Sequence, residues 1–236
     1  MSSNIRLGDI SIKLTRKAVR HTHLSVRPPL GRVTMVAPVG TRYEVARAFA
    51  ISKLGWIREQ QSRFSAQARE APRRYVERET HLLWGRHHLL RVRFEDSKPM
   101  VKADHRQIVL TVRPGSSADK RAEVMHEWHK GLLHHAIPGL IAAWQPRLGV
   151  RVNGYFLQRM KTKWGSCNRR THHIRLNTEL VKKPKDLLEY VIVHEMIHVR
   201  EPRHNDRFFS LLGKHYPRWR EAQAELNELP LAAENW

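Results

Sequence analysis

Two histidines four residues apart bracket a glutamate in the run His194-Glu195-Met196-Ile197-His198. On a helix such residues share one face, so both imidazoles can reach one metal ion while the backbone stays helical. Glu195 follows the first histidine directly and so points beside that ion rather than at it, where it can polarise and deprotonate a zinc-bound water. A catalytic zinc takes three protein ligands and keeps one position open. The third should come from another segment. His204 is the best placed, six residues after His198 and past Glu201-Pro202, which stops a helix and lets the chain fold back.

The spacing from His198 to His204 is that of the metzincin pattern, with Glu201 where that pattern has a glycine for the turn. Glu221 or Glu225, on a helix after Pro217, offers a gluzincin-like alternative, and His204 is preferred because the local turn presents it. With 16 histidines and 16 glutamates in 236 residues, chance supplies the five-residue pattern about 0.07 times per chain, and with the later histidine about 0.005 times. A second run, His126-Glu127-Trp128-His129, has its histidines three apart and lacks the general-base geometry. It reads as a solvated or interfacial face of a basic helix. The pairs His134-His135 and His172-His173 diverge on any regular element and are not expected to bind the catalytic metal. Cys167 reads as a small buried apolar residue rather than a ligand or nucleophile. Trp164-Gly165-Ser166 reads equally as a packed turn or as a wall of the cleft, where an edge strand could hold an extended peptide.

The elements that must position these groups follow from periodicity. Ile10–Leu14 and Val33–Val36 alternate, with Pro28-Pro29-Leu30-Gly31 as a turn between them. Thr41 with Glu44 reads as a capping box opening one or two amphipathic helices to about residue 69, broken or bent near Gly55. The pattern breaks at Ala71-Pro72. Residues 81–95 read as two strands with a turn near Gly85-Arg86, and 108–112 as a third, closed by Pro114-Gly115-Ser116-Ser117. A helix from Ser117 or Asp119 to about Trp144 should kink or restart at Pro138. Val150–Val152 leads to a turn at Asn153-Gly154, and Ile174–Asn177 is a strand. Pro184, suited to the first helical position, and Asp186 open a helix to about Arg200. Asn205 or Asp206 caps the next helix, in which Phe208, Phe209, Leu211 and Leu212 read as core, and a polar helix runs from about Arg218 to Leu229. No repeat is visible. The expected class is α+β, with a strand-rich N-terminal half (1–116) packed against, rather than independent of, a helix-rich catalytic half (117–236).

Composition bounds the partners. Lys plus Arg is 43 against 22 Asp plus Glu, a net charge of +21. Such a surface attracts polyanions, so nucleic acid enters as a candidate partner beside a protein or peptide substrate, and it reads equally as charge that keeps a soluble protein monodisperse by self-repulsion. The basic residues are spread along the chain rather than run together. No apolar stretch reaches the length of a membrane span, and the first residues lack the apolar run of a signal peptide. The single cysteine excludes an internal disulfide and a cysteine-based zinc ribbon, and a cytoplasmic setting is expected.

Beyond these local signals, Met160-Lys161-Thr162-Lys163-Trp164-Gly165-Ser166-Cys167, Ile174–Asn177, Leu180, Pro184, Tyr190–His198 and His204–Phe209 together resemble the YgjP-like zinc metallopeptidases, a bacterial zincin family related to the SprT and WLM groups. The resemblance is strongest over about 155–220 and extends more weakly to the first half, including Gly55-Trp56-Ile57. It implies a zincin-like fold, Zn2+ held by His194, His198 and His204, and Glu195 as base. The chain departs from the pattern at Asn205 and Phe209, where the family usually has serine and tryptophan. The favoured function is a zinc-dependent hydrolase, a metallopeptidase using metal-activated water. One alternative is a metal-dependent nucleotide phosphoanhydride hydrolase, motivated by the positive charge but without a phosphate loop. The other is a DNA-associated protein-processing factor.

Overall fold

The computed structural model describes residues 2–27, 31–66, 73–160 and 163–228. Pro28-Pro29-Leu30, Ala71-Pro72, Lys161-Thr162 and Leu229, which figure in the expectations above, lie outside the described residues. The class is α+β, with three sheets and six α-helices among the described residues. The chain divides into two compact units, 1–69 and 70–235.

The first unit holds β1 (Ser2–Leu7), β2 (Ile10–Lys17), β3 (His23–Arg27) and β4 (Arg32–Pro38), followed by α1 (Tyr43–Ser52) and α2 (Leu54–Ala66). The strand order is β1-β2-β4-β3, with β2 and β4 parallel and the outer pairs antiparallel. Alternation works as read: Ile10, Ile12 and Leu14 from β2 and Val33, Met35 and Ala37 from β4 bury one face, closed by Ala46, Ala50 and Ile57 from the helices. The expected Thr41 cap is replaced by Arg42, which makes no side-chain capping bond. Thr41 belongs to the preceding turn, donating its N–H to the Pro38 carbonyl at 3.0 Å. The break between the helices falls at Lys53, two residues before Gly55.

The second unit begins with β5 (Thr80–Leu83), β6 (Arg86–Phe94), β7 (Met100–Ala103) and β8 (Gln107–Val112). Their order, β5-β6-β8-β7, and pairing directions copy those of the first sheet, a likeness of topology that the sequence does not display. β7 escapes the sequence reading because only its first two residues carry large apolar side chains. α3 (Ala118–Leu148) is capped by Ser117, whose hydroxyl accepts from Lys120 N–H, and ends at left-handed Gly149. It runs without a restart through Pro138, and on through Pro146. Its stripe of Met125, His129, Leu133, Ile137, Ile141, Trp144 and Leu148 stays buried past both prolines, and this packing outweighs the lost backbone bonds. Leu90, Ile108 and Leu110 share one core with Met125 and Leu133 of α3, so residues on both sides of position 116 lie in the same unit.

β9 (Gly154–Gln158), β10 (Gly165–Asn168) and β11 (His173–Asn177) form the third sheet, ordered β10-β11-β9. β10 is therefore an edge strand. A 3-10 turn (Thr178–Lys182) leads to α4 (Lys185–Ile197), α5 (Asp206–His215) and α6 (Trp219–Glu228). Pro184 is the N-cap of α4 rather than its first helical residue, and the helix stops at Ile197, leaving His198 as C-cap. The start of α4 is clamped by the β5–β6 hairpin. Trp84 N–H donates to the Val181 carbonyl at 2.8 Å and Gly85 N–H to that of Lys182 at 3.1 Å. Gly85 sits at φ +77°, and a Cβ there would lie 2.8 Å from Pro184 Cγ, so both conformation and space demand glycine.

Candidate metal centre

α4 is apolar nearly all round and is buried accordingly, with Leu187, Leu188, Val191, Ile192, Val193, Met196 and Ile197 in the core. This fixes the azimuth of the helix, and with it the direction of its two histidines. His194 and His198 lie with ring centroids 5.0 Å apart. The chain turns past Glu201-Pro202 and brings His204 back, its Nε2 3.0 Å from Nε2 of His194. One ligand nitrogen from each of the three histidines falls within 4.8 Å of the others, and it is the one such group among the described residues. Phe208, fully buried at the start of α5, packs against all three rings at centroid distances of 4.9, 4.6 and 4.6 Å. The Asn205 side chain caps α5 by accepting from Phe208 N–H at 3.0 Å, so one short turn sets both His204 and the floor beneath it.

The protonation states suit a cation. Burial drives His194 down to about 3, helped by His198 and His204. His198 is also lowered, mainly by burial. The His198 Nδ1–H donates to the Glu201 carbonyl at 2.9 Å, which places its proton on Nδ1 and leaves a lone pair on Nε2. Nδ1 of His194 is buried without a hydrogen-bond partner. Three imidazoles converging on one point, with one ring already oriented by a backbone acceptor, fit a divalent ion that favours nitrogen ligands.

Glu195 is 6% exposed and lies against the edge strand β10. A Cβ at Gly165 would sit 2.6 Å from its Oε1. Burial pushes the Glu195 carboxyl up to about 8, opposed by the charge of Lys163. His194, Glu195, His198 and His204 open into one cleft of about 610 Å3, walled by β10 and by Gln223 and Asn227 of α6. The sequence reading missed these two amides, which sit four apart on a helix read only as polar. It also missed Phe208 as support for the rings.

Other residues weighed from the sequence fall elsewhere. Glu221, Glu225, His215 and Tyr216 line a separate cleft with Trp144 and Glu189. Tyr216 donates its hydroxyl to the Asp186 carbonyl at 3.1 Å. In the second histidine run, Glu127 pairs with Lys130 at 3.0 Å, whereas His129 is buried, which corrects the expectation of a solvated or interfacial face. Cys167 lines the metal cleft half-buried, with its thiol pushed up to about 11 by burial and by Glu195, so it stays protonated. Trp164-Gly165-Ser166 leads into and forms part of the wall, with Gly165 and Ser166 in the strand.

A YgjP-like metallopeptidase domain model matches residues 22–229. The chain belongs to the YgjP-like metallopeptidase family. As a family member it is a metal-dependent hydrolase of protein or peptide substrates. Similar solved structures include the metallopeptidase zymogen of Pyrococcus abyssi abylysin, at 17% identity and TM-score 0.36 over 38% of this chain and 90% of that one. The metallopeptidase zymogen of Methanocaldococcus jannaschii jannalysin is similar at 24% identity and TM-score 0.34, over 38% of this chain and 92% of that one. No curated protein matches this YgjP-like chain. No helix among its described residues is long and apolar enough to cross a membrane.

Proposed function

We propose that this YgjP-like protein is a zinc peptidase in which His194, His198 and His204 hold the metal and Glu195 is the general base. The observation that carries this reading is the meeting of three histidine nitrogens within 4.8 Å, in a cleft that Glu195 shares. Three imidazoles with a side open to the cleft are the donor set of a catalytic zinc rather than a closed structural one. When bound, zinc supplies a Lewis acid that polarises the scissile carbonyl and acidifies its water ligand to a pKa of about 7 in comparable sites.

The protein's own groups then have defined tasks. The edge of β10, unpaired among the described residues, offers backbone N–H and C=O groups to an extended peptide, which aligns the scissile bond beside Glu195. Glu195 takes the proton from the attacking water and passes it to the leaving amine. Its burial raises its affinity for that proton. Gln223 and Asn227 bring neutral donors to the opposite wall, suited to a developing oxyanion. A cytoplasmic site of action fits the single half-buried thiol.

Metal analysis and turnover on the same preparations test the assignment. Glu195→Gln should keep one equivalent of zinc and lose about 100- to 10,000-fold in turnover. His194→Ala and His204→Ala should lose the metal. Full turnover in Glu195→Gln removes the base assignment, and full metal content in His204→Ala removes the third ligand.

A further inference from the structure

The third sheet has a second face, turned away from the core. The register sets Phe156, Arg175 and Ser166 in one row across β9, β11 and β10, with His173 opposite Asn168 in the next. Cross-strand partners share a face. Phe156 and Arg175 are exposed, whereas Ile174 and Leu176 between and beyond them are buried. Phe156 is 53% exposed and stacks on His173 with centroids 5.3 Å apart. With the Arg169-Arg170 turn these side chains line a groove of about 730 Å3. Among the described residues lining it there are three arginines and no carboxylate. None of the three guanidinium groups pairs with a carboxylate among the described residues. The groove shares Ser166, Cys167 and Arg169 with the metal cleft.

We infer that this groove is a specificity subsite that takes the acidic side chains of a peptide substrate lying on β10. The inference rests on the peptidase reading and adds the substrate class. A peptide strand added to β10 sends alternate side chains to opposite faces. The residue that pairs with Ser166 points to the face of Arg175, while its neighbours along the strand point to the side of Glu195. A glutamate or aspartate there meets the guanidinium groups of Arg175 and Arg169, whose planar forks match a carboxylate in two-point contact. Phe156 supplies an apolar floor for the methylene groups behind that carboxylate. The protein's net charge of +21 draws acidic segments toward the same face. Continuity with the cleft and a strand edge unpaired among the described residues favour a peptide over an oligonucleotide, whose bases would leave the β10 edge unused.

Quenched peptides matched in length, with glutamate, alanine or lysine at the positions flanking the scissile bond, test this on the zinc-loaded protein. Wild type should favour the glutamate series by roughly tenfold in kcat/KM. Arg169→Glu/Arg175→Glu should turn that preference toward lysine, and Arg175→Gln alone should reduce it, with metal content and melting temperature as folding checks. In parallel, fluorescence anisotropy should show the glutamate peptide binding Glu195→Gln more tightly than the alanine peptide, with affinity falling as salt is added. Equal kcat/KM for all three series would overturn the subsite and leave the peptidase reading intact. Absence of any cleavage, with salt-sensitive glutamate binding lost on charge reversal, would retain the groove as a site for acidic side chains and remove the peptidase reading. Tighter binding of an oligothymidylate of matched charge, lost in the same reversal, would overturn the peptide as occupant.

Discussion

At the residue scale, the carboxylate of the site occupies space that only a glycine leaves open. Gly165 leaves room for Glu195 Oε1, and a methyl group at 165 would meet it at 2.6 Å. The atoms it meets, Oε1, Cγ and Cδ, belong to a side chain rather than to backbone, so it is the carboxylate that must move. Gly165→Ala is therefore expected to keep its metal and its melting temperature while kcat drops about tenfold or more, since a small displacement of a reacting group is costly. Wild-type kcat with the alanine in place would show that Glu195 does not need this wall. The histidine spacing and the adjacent glutamate are legible in the sequence because helical geometry alone relates residues 194, 195 and 198. Phe208 and the His198 Nδ1–Glu201 bond are not legible, because both depend on the path of the turn after Ile197.

At the scale of elements, α4 announces itself by its apolar run, whereas β10 does not. Gly165-Ser166-Cys167-Asn168 has no β-branched or aromatic residue, so only its pairing with β11 makes it a strand. β9 is hidden in a different way, since Tyr155-Phe156-Leu157 runs apolar without alternation although Phe156 faces solvent. α3 shows packing overriding local rules, and it carries a cost. His129 is buried on its core stripe with Nε2 unpartnered, and burial, then the charges of Lys182, His81, His126 and Arg159, hold its pKa well below the usual histidine value. The folded chain thus resists a proton that the unfolded chain accepts, so stability falls as pH drops below about 6.5. Denaturant titrations between about pH 7.5 and 5.5 should show that loss, and His129→Leu should flatten it. An unchanged slope in His129→Leu would place the pH dependence on other groups, with His126, lowered to about 4, the next to examine.

At the scale of the whole molecule, metal and fold are linked. An ion that binds only the folded chain stabilises it by about 2.7 kcal/mol at a free concentration of a hundred times Kd. Chelation should lower the melting temperature of the wild type and leave that of His194→Ala nearly where it was. Equal shifts in both would mean that chelation acts elsewhere than at the three histidines. The unit that carries the site reaches well upstream of its motif, because Leu90, Ile108, Leu110 and Val112 are fully buried in the same core as α4. A chain starting at residue 117 is therefore expected to be insoluble or to bind no metal. A folded, metal-loaded product from that start would show that β5 to β8 are dispensable.

The clamp between Gly85 and Pro184 also has a bearing on time. The two residues lie about a hundred positions apart in a chain made from its N-terminus, so the hairpin has left the ribosome well before the histidine helix is translated. Ordering α4 waits on a long-range closure, which is slow compared with local helix formation. The nascent protein thus brings its histidine cluster together late in maturation, when the partner for the helix start is already waiting.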